Sequence, residues 1–240
     1  MKRRHLFEWE DQPWLPAVIR DYITDHLHHV MTRGKLFEPI VPVLADLLKT
    51  TNSRRIVDLC SGGGGPFPEL AELLQQATGN STEIVLTDRF PNLAAVERIA
   101  RDGHGVATYR PEPIDAFDVP RELSGVRTVF TALHHFRPEQ VRGLLADAVA
   151  KQQPFAAFEA IDRDLHSIVK IGLFNLVSGV LVTHRVGPVT LARALCTWVL
   201  PVAPLAYAWD GIVSCLRVYT ADELRAMSAG LGQGNYTWEV

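Results

Sequence analysis

Arg54-Arg55-Ile56-Val57-Asp58-Leu59-Cys60-Ser61-Gly62-Gly63-Gly64-Gly65-Pro66 is the stretch on which the reading of this chain turns. Ile56, Val57 and Leu59 form a short apolar run suited to a buried parallel strand, and Pro66 with Glu69, Leu70, Leu73 and Leu74 opens a helix just past the glycines. The pattern is strand, tight turn, helix. Glycines let the turn take positive φ and approach a ligand closely, while the free N–H groups of the new helix face the same spot. Such a turn cradles a small molecule.

What is missing narrows the kind of cradle. No Lys-Ser or Lys-Thr follows the glycines, which removes a phosphate loop. A dinucleotide turn needs Gly-x-Gly-x-x-Gly, and here the third position is Phe67 or Pro68, which opposes a nicotinamide enzyme. The next strand-like run, Glu83 to Thr87, ends at Asp88, an acid placed to accept hydrogen bonds from both ribose hydroxyls of a nucleoside. Asp88 also suits the N-cap of a helix beginning at Pro91, a role for which Asn92 competes.

At this point the chain resembles the class I S-adenosylmethionine-dependent methyltransferases. The resemblance rests on Asp58 through Gly65, Asp88 in LTDRFPN, Asp115 in PIDAF and Phe130 to Phe136 in FTALHHF, and it covers about Ile56 to Ala160. The wording LCSGGGGP and WDGIVSCLRVYT is similar to a bacterial subgroup of unassigned substrate. The resemblance implies a Rossmann-like three-layer α/β sandwich with a mostly parallel sheet of six or seven strands. It implies S-adenosylmethionine as cofactor and S-adenosylhomocysteine as product, held by Asp58, Cys60, Ser61, Gly62, Gly63 and Gly64 at the turn. Asp88, Arg89 and Phe90 would contact ribose and adenine, as would Asp115 and Ala116, with Thr131 and Ala132 at the fourth strand's exit. It names no methyl acceptor.

At 240 residues, 47% hydrophobic and 21% charged, the chain suits one Rossmann-like domain over 54–240 preceded by a helical cap over 1–53. A net charge of -3, with Lys and Arg scattered, gives no basic field for nucleic acid. Three cysteines, widely spaced, suit neither a disulfide framework nor a zinc site and point to the reducing cytoplasm. Met1 to Arg4 is basic, but the polar stretch after it is no signal peptide.

In the cap, Val18, Ile19, Tyr22, Ile23, Leu27, Val30 and Met31 recur at helical spacing, Gly34 ends that helix, and Pro39 to Leu48 forms a shorter one. The resemblance implies that these helices close over cofactor and substrate, with Trp14 and Tyr22 lining the acceptor pocket; the alternative places both rings in the core. His26, His28 and His29 read as solvent-facing, since no carboxylate completes a metal site, and no metal is expected.

Val126 to Ala132 reads as the central strand, and His134 and His135, leaving its carboxyl end, are the candidate general bases. Both also suit plain packing, because displacement at a sulfonium can rest on proximity and desolvation alone. Glu159, at the exit of a fifth strand from Pro154 to Ala160, either touches substrate or pairs with Arg163.

Residues 165–208 form an apolar insertion whose uncharged stretches, 171–184 and 194–209, fall short of the roughly 18 to 20 residues a spanning helix needs. Two helices here would serve as a lid, a homodimer surface, a resting place for a hydrophobic acceptor or a membrane-surface contact. Trp209, Asp210 and Arg217 form either an acceptor wall or a structural ion pair. Ile212 to Tyr219 reads as extended, Thr220 to Glu223 as a helix start, and Asn235 to Val240 as a last strand. The expected function is methyl transfer to a small apolar or aromatic metabolite. The alternative is an S-adenosylmethionine-binding protein without turnover that uses the insertion to dimerise or to bind a partner or membrane surface.

Overall fold

The computed structural model describes residues 1–67, 69–102, 106–232 and 236–240. Gly103 and Gly105, expected to end a helix, and Asn235, expected to open the last strand, lie outside them. The cap supplies α1 (Ala17–Arg33) and α2 (Val41–Thr50). Then come β1 (Arg55–Leu59), α3 (Glu69–Thr78), β2 (Glu83–Leu86), α4 (Leu93–Asp102), β3 (Ala107–Tyr109), β4 (Val126–Phe130), α5 (Pro138–Ala150) and β5 (Phe155–Phe158). The insertion holds α6 (Leu165–Val186), the short α7 (Leu191–Ala194) with a π-helical turn over Leu195–Val199, and α8 (Val202–Arg217); α9 (Ala221–Ser228) follows.

All strand pairs are parallel, in the order β3-β2-β1-β4-β5. Successive strands step outward on one side of β1, then restart at β4 on the other. That reversal leaves a crevice at the carboxyl ends of β1 and β4, the place where open parallel sheets bind ligands. Strand period two divides the core. Ile56, Ile84, Leu86 and Val126 pack under α2, α3 and α4, while Val57, Leu59, Val85 and Val129 pack against α5 and α9. The result is a Rossmann-like three-layer α/β fold.

The sheet has five strands among the described residues, not the six or seven expected. Ile212 to Arg217 belong to α8 rather than to an extended segment, and residues 236–240 form no strand. The helix runs through Gly211 because α6 lies tight against it: a Cβ there would sit 2.3 Å from Asn175 Nδ2. Gly172 admits Ile212 and Gly179 admits Pro204 in the same seam. Local alternation cannot reveal such a partner.

Two of the three histidines of α1, His26 and His28, are not solvent-facing, whereas His29 is partly exposed. His26 is buried and its Nδ1 donates to Tyr22 O at 2.7 Å; half-buried His28 donates from Nδ1 to Gly65 O at 2.7 Å. Helix α1 is covered twice, by α6 and α8 on one side and by the glycine turn on the other.

Counted without its charged ends, the insertion falls short of a spanning length. As a helix, α6 continues through Lys170 and Arg185 to 22 residues, and is long and apolar enough to cross a membrane by length and composition. Leu191–Val199 and Val202–Arg217 pass the same test only as a pair bent by 70°.

Candidate functional site

The crevice holds a cavity of about 220 Å³, lined by the ends of β1, β2 and β4, the loop after β3, and α1. Two non-glycine residues at its floor are left-handed: Cys60 at φ 59° just after β1, and Thr131 at φ 47° just after β4. Such residues store backbone strain and cluster at ligand sites. Both line the cavity.

Asp58 is buried, and both its carboxylate oxygens are engaged. Oδ2 accepts from Ser61 Oγ at 2.6 Å and Oδ1 from Thr128 Oγ1 at 2.7 Å, so the acid ties the turn to β4. Burial pushes Asp58 up to about 7, with the two hydroxyls working against that rise. The turn continues with Gly62 at φ 51°, Gly64 at 113° and Gly65 at 56°, conformations that favour glycine. Gly63 serves closeness instead: a Cβ there would stand 2.5 Å from Thr24 O on α1. Gly62, Gly63 and Gly65 line the cavity, whereas Gly64 turns toward Ile99 and Arg98 on α4.

Asp88 accepts Gly62 N–H on Oδ2 at 2.8 Å and Phe90 N–H on Oδ1 at 2.7 Å. The helix-cap role falls to Asn92, whose Oδ1 accepts Ala95 N–H at 3.0 Å. Asp88 is thereby left in the cavity wall, with lone pairs to spare on each oxygen. Asp115 accepts Phe117 N–H through Oδ1 and faces the same space, as do Ser61, Arg89, Phe90, Ala116 and Ala132. One side of the Phe90 ring lies under the Arg20 guanidinium, 4.4 Å away.

The two histidines part company. His135 lines the cavity, and its Nδ1 donates to Glu8 Oε2 at 2.8 Å and Asp11 Oδ1 at 2.9 Å. Burial alone would lower its pKa, but Glu8 and Asp11 hold it well above the ordinary value. A ring kept as a cation is a poor proton acceptor. His134 is buried outside the cavity wall, with Nδ1 on Glu159 at 3.0 Å and Nε2 without a partner. Glu159 thus fixes His134, and Arg163 pairs with Glu223 at 3.0 Å instead.

The residues expected to bind the acceptor lie elsewhere. Trp14 is 61% exposed and meets Trp9 edge-on. Tyr22 is fully buried, its hydroxyl donating to Gly179 O at 2.6 Å, because helical spacing sets it on the α6 side of α1. Trp209 donates from Nε1 to Phe7 O. Asp210 accepts Trp9 N–H and Glu10 N–H, and burial pushes it up to about 7. Arg217 meets Glu8 at 2.9 Å and Asp11 at 2.6 Å. All three fasten the segment before α1 to α8.

That segment carries cavity residues the sequence did not reveal, Glu10 and Asp11, and the polar face of α1 adds Arg20, Thr24 and His28. The spacing of four between Arg20, Thr24 and His28 was the available signal; nothing marked Glu10. Its carboxylate has no hydrogen-bond partner among the described residues, and burial pushes it up to about 8. Glu8, His134 and His135 each offer a ligand atom, all within 4.8 Å of one another. The Arg217 guanidinium on the same Glu8 oxygen competes with any cation there, so the cluster reads as an ion-pair network.

No family model matches this chain, and no curated protein matches it either.

Proposed function

We propose that the protein binds S-adenosylmethionine at the carboxyl edge of β1 and β4 and transfers its methyl group to a small molecule. One observation carries this reading: Asp88, Asp115 and the glycine turn after Asp58 converge on a single cavity, with the β4 exit opposite. Asp88 would accept the ribose hydroxyls, Asp115 the adenine amine, and Phe90, which already meets the Arg20 and Arg89 guanidinium groups, would stack on the base. Asp58 would act by holding the turn.

The part of the cavity lined by Glu10, Asp11 and His135 would receive the acceptor. Of these, Glu10 can take a proton only once it is ionised: its carboxyl, pushed up to about 8, holds its own proton at lower pH and becomes a base as pH rises toward 8, while His135 is already charged. When bound, the cofactor would supply a methyl group on a positively charged sulfonium, and the apolar side chains of Phe130, Phe136 and Ile114 in the cavity wall would solvate that charge poorly and so favour its loss on transfer.

Calorimetry with S-adenosylmethionine, S-adenosylhomocysteine and NAD tests the cofactor. Binding of the first two and not the third is expected; NAD binding alone would overturn the reading. Label transfer from methyl-tritiated cofactor into a small-molecule extract then tests turnover, and its absence would favour a binding protein.

A further inference from the structure

We propose that the outer face of α6, the π-helical turn and α8 seats on the surface of an anionic lipid bilayer. On α6, Val169, Leu173, Val177 and Leu181 follow at intervals of four and are all exposed, Leu173 at 62% and Leu181 at 64%. Across the bend, Leu191, Val199, Leu200 and Leu205 are exposed by more than half. Such a continuous apolar surface exceeds what single scattered side chains present, and marks a docking face.

Charge selects the occupant. From Leu165 to Trp209 there is no Asp or Glu, and the exposed charged side chains of the stretch are cations, Lys170 and Arg185, near the two ends of α6. The exposed acids nearest the strip, Asp162 and Asp164, are confined to the loop that caps the start of α6, and beyond them an apolar strip whose exposed Lys and Arg are unopposed by acid complements a membrane whose headgroups are negative. Trp198 and Trp209 are each a little under half exposed, and their indole N–H groups are already satisfied by Val180 O and Phe7 O. The rings therefore offer apolar area at the rim, where interfacial aromatics sit.

The opposite side of α6 settles how it meets lipid. Gly172, Asn175, Gly179 and Thr183 are buried against α8 and α1, with Asn175 Nδ2 donating to Tyr207 O at 3.1 Å and Tyr22 holding Gly179 O. Helix α6 is packed along that side against α8 and against α1 of the cap, so we lay it in the interface rather than across the bilayer. The inference does not depend on the cofactor reading.

The test is co-sedimentation of the full chain with phosphatidylcholine vesicles, with and without phosphatidylglycerol. Binding is expected to be strongest with phosphatidylglycerol, to weaken in high salt, and to fall by at least about tenfold in Leu173→Glu/Leu181→Glu. Brominated lipid should quench tryptophan emission less in Trp198→Phe than in the parent, a readout that survives if the double variant folds poorly. Three outcomes would overturn the proposal: no binding to either vesicle, a dimer in light scattering that the double variant dissociates and vesicles do not, or membrane association that resists alkaline carbonate, as a spanning helix would.

Discussion

Arg217 Nη1 stands 2.9 Å from Glu8 Oε2, joining the last turn of α8 to the segment before α1, and neither side chain is more than 2% exposed. The same nitrogen meets Asp11, which with Glu8 holds His135 at the end of β4. The insertion, the leading segment and the sheet edge are thus one charged unit. Each of its members balances another.

Replacing Arg217 by Met should therefore do more than remove a contact. Glu8 would be left buried with His135 alone, and breaking a buried pair by taking one partner costs about 3–5 kcal/mol. Urea unfolding should show that loss, and limited proteolysis should cut within residues 1–15 sooner than in the parent. Unchanged stability would mean that the leading segment is held by something else.

Asp88→Ala should weaken S-adenosylmethionine binding by roughly 1.5 to 3 kcal/mol, the worth of a charge-assisted hydrogen bond. Helix α4 should persist in circular dichroism because Asn92, not Asp88, caps it. Affinity equal to the parent's in calorimetry would remove Asp88 from the ribose site.

The parts of this molecule readable from sequence are those whose pattern is local. Ile56-Val57-Asp58-Leu59 followed by four glycines specifies strand, turn and helix within a dozen residues, and Asp58 near the end of β1, Asp88 after β2 and Asp115 after β3 reach one cavity because parallel strands end on one edge. What escaped was set by distant partners. Tyr22 and His28 share one helix, yet Tyr22 faces α6 and His28 faces Gly65, a division that periodicity alone leaves unassigned. Ile212 to Arg217 read as extended until Asn175 of α6 is known to lie against Gly211. Glu10 is held at the site by distant partners, Asp210, two hundred residues on, taking its N–H and Arg20 donating to its carbonyl.

Two glycines separate close approach from mere flexibility. Gly63→Ala should cost about 1–3 kcal/mol through overpacking, since the new methyl would stand 2.5 Å from Thr24 O and push α1 off the turn. Gly143→Ala in α5 meets nothing within 4 Å and should stabilise by roughly 0.5–1 kcal/mol. Equal effects in thermal melts would show that α1 does not rest on Gly63.

Glu10 makes the chain's stability depend on pH in a stated direction. Its folded pKa of about 8 lies above the ordinary carboxyl value, so between 4.5 and 8 the folded chain holds a proton that the unfolded chain has released. Stability must then fall as pH rises through that window, by at most roughly 1.4 kcal/mol per pH unit, and by less than this because Glu10 is of intermediate exposure. His135, also raised, adds a loss of the same sign above its ordinary value of 6.5. His5, His26 and His28, lowered to about 4, act below 6.5 and leave the range from 7 to 8 clear. Urea midpoints at pH 7 and 8 should accordingly decline in the parent and decline less in Glu10→Gln, where the shares of His135 and of Asp58 and Asp210, both raised to about 7, remain. Parallel declines would place the proton elsewhere and, with it, the group proposed to accept one from the methyl acceptor.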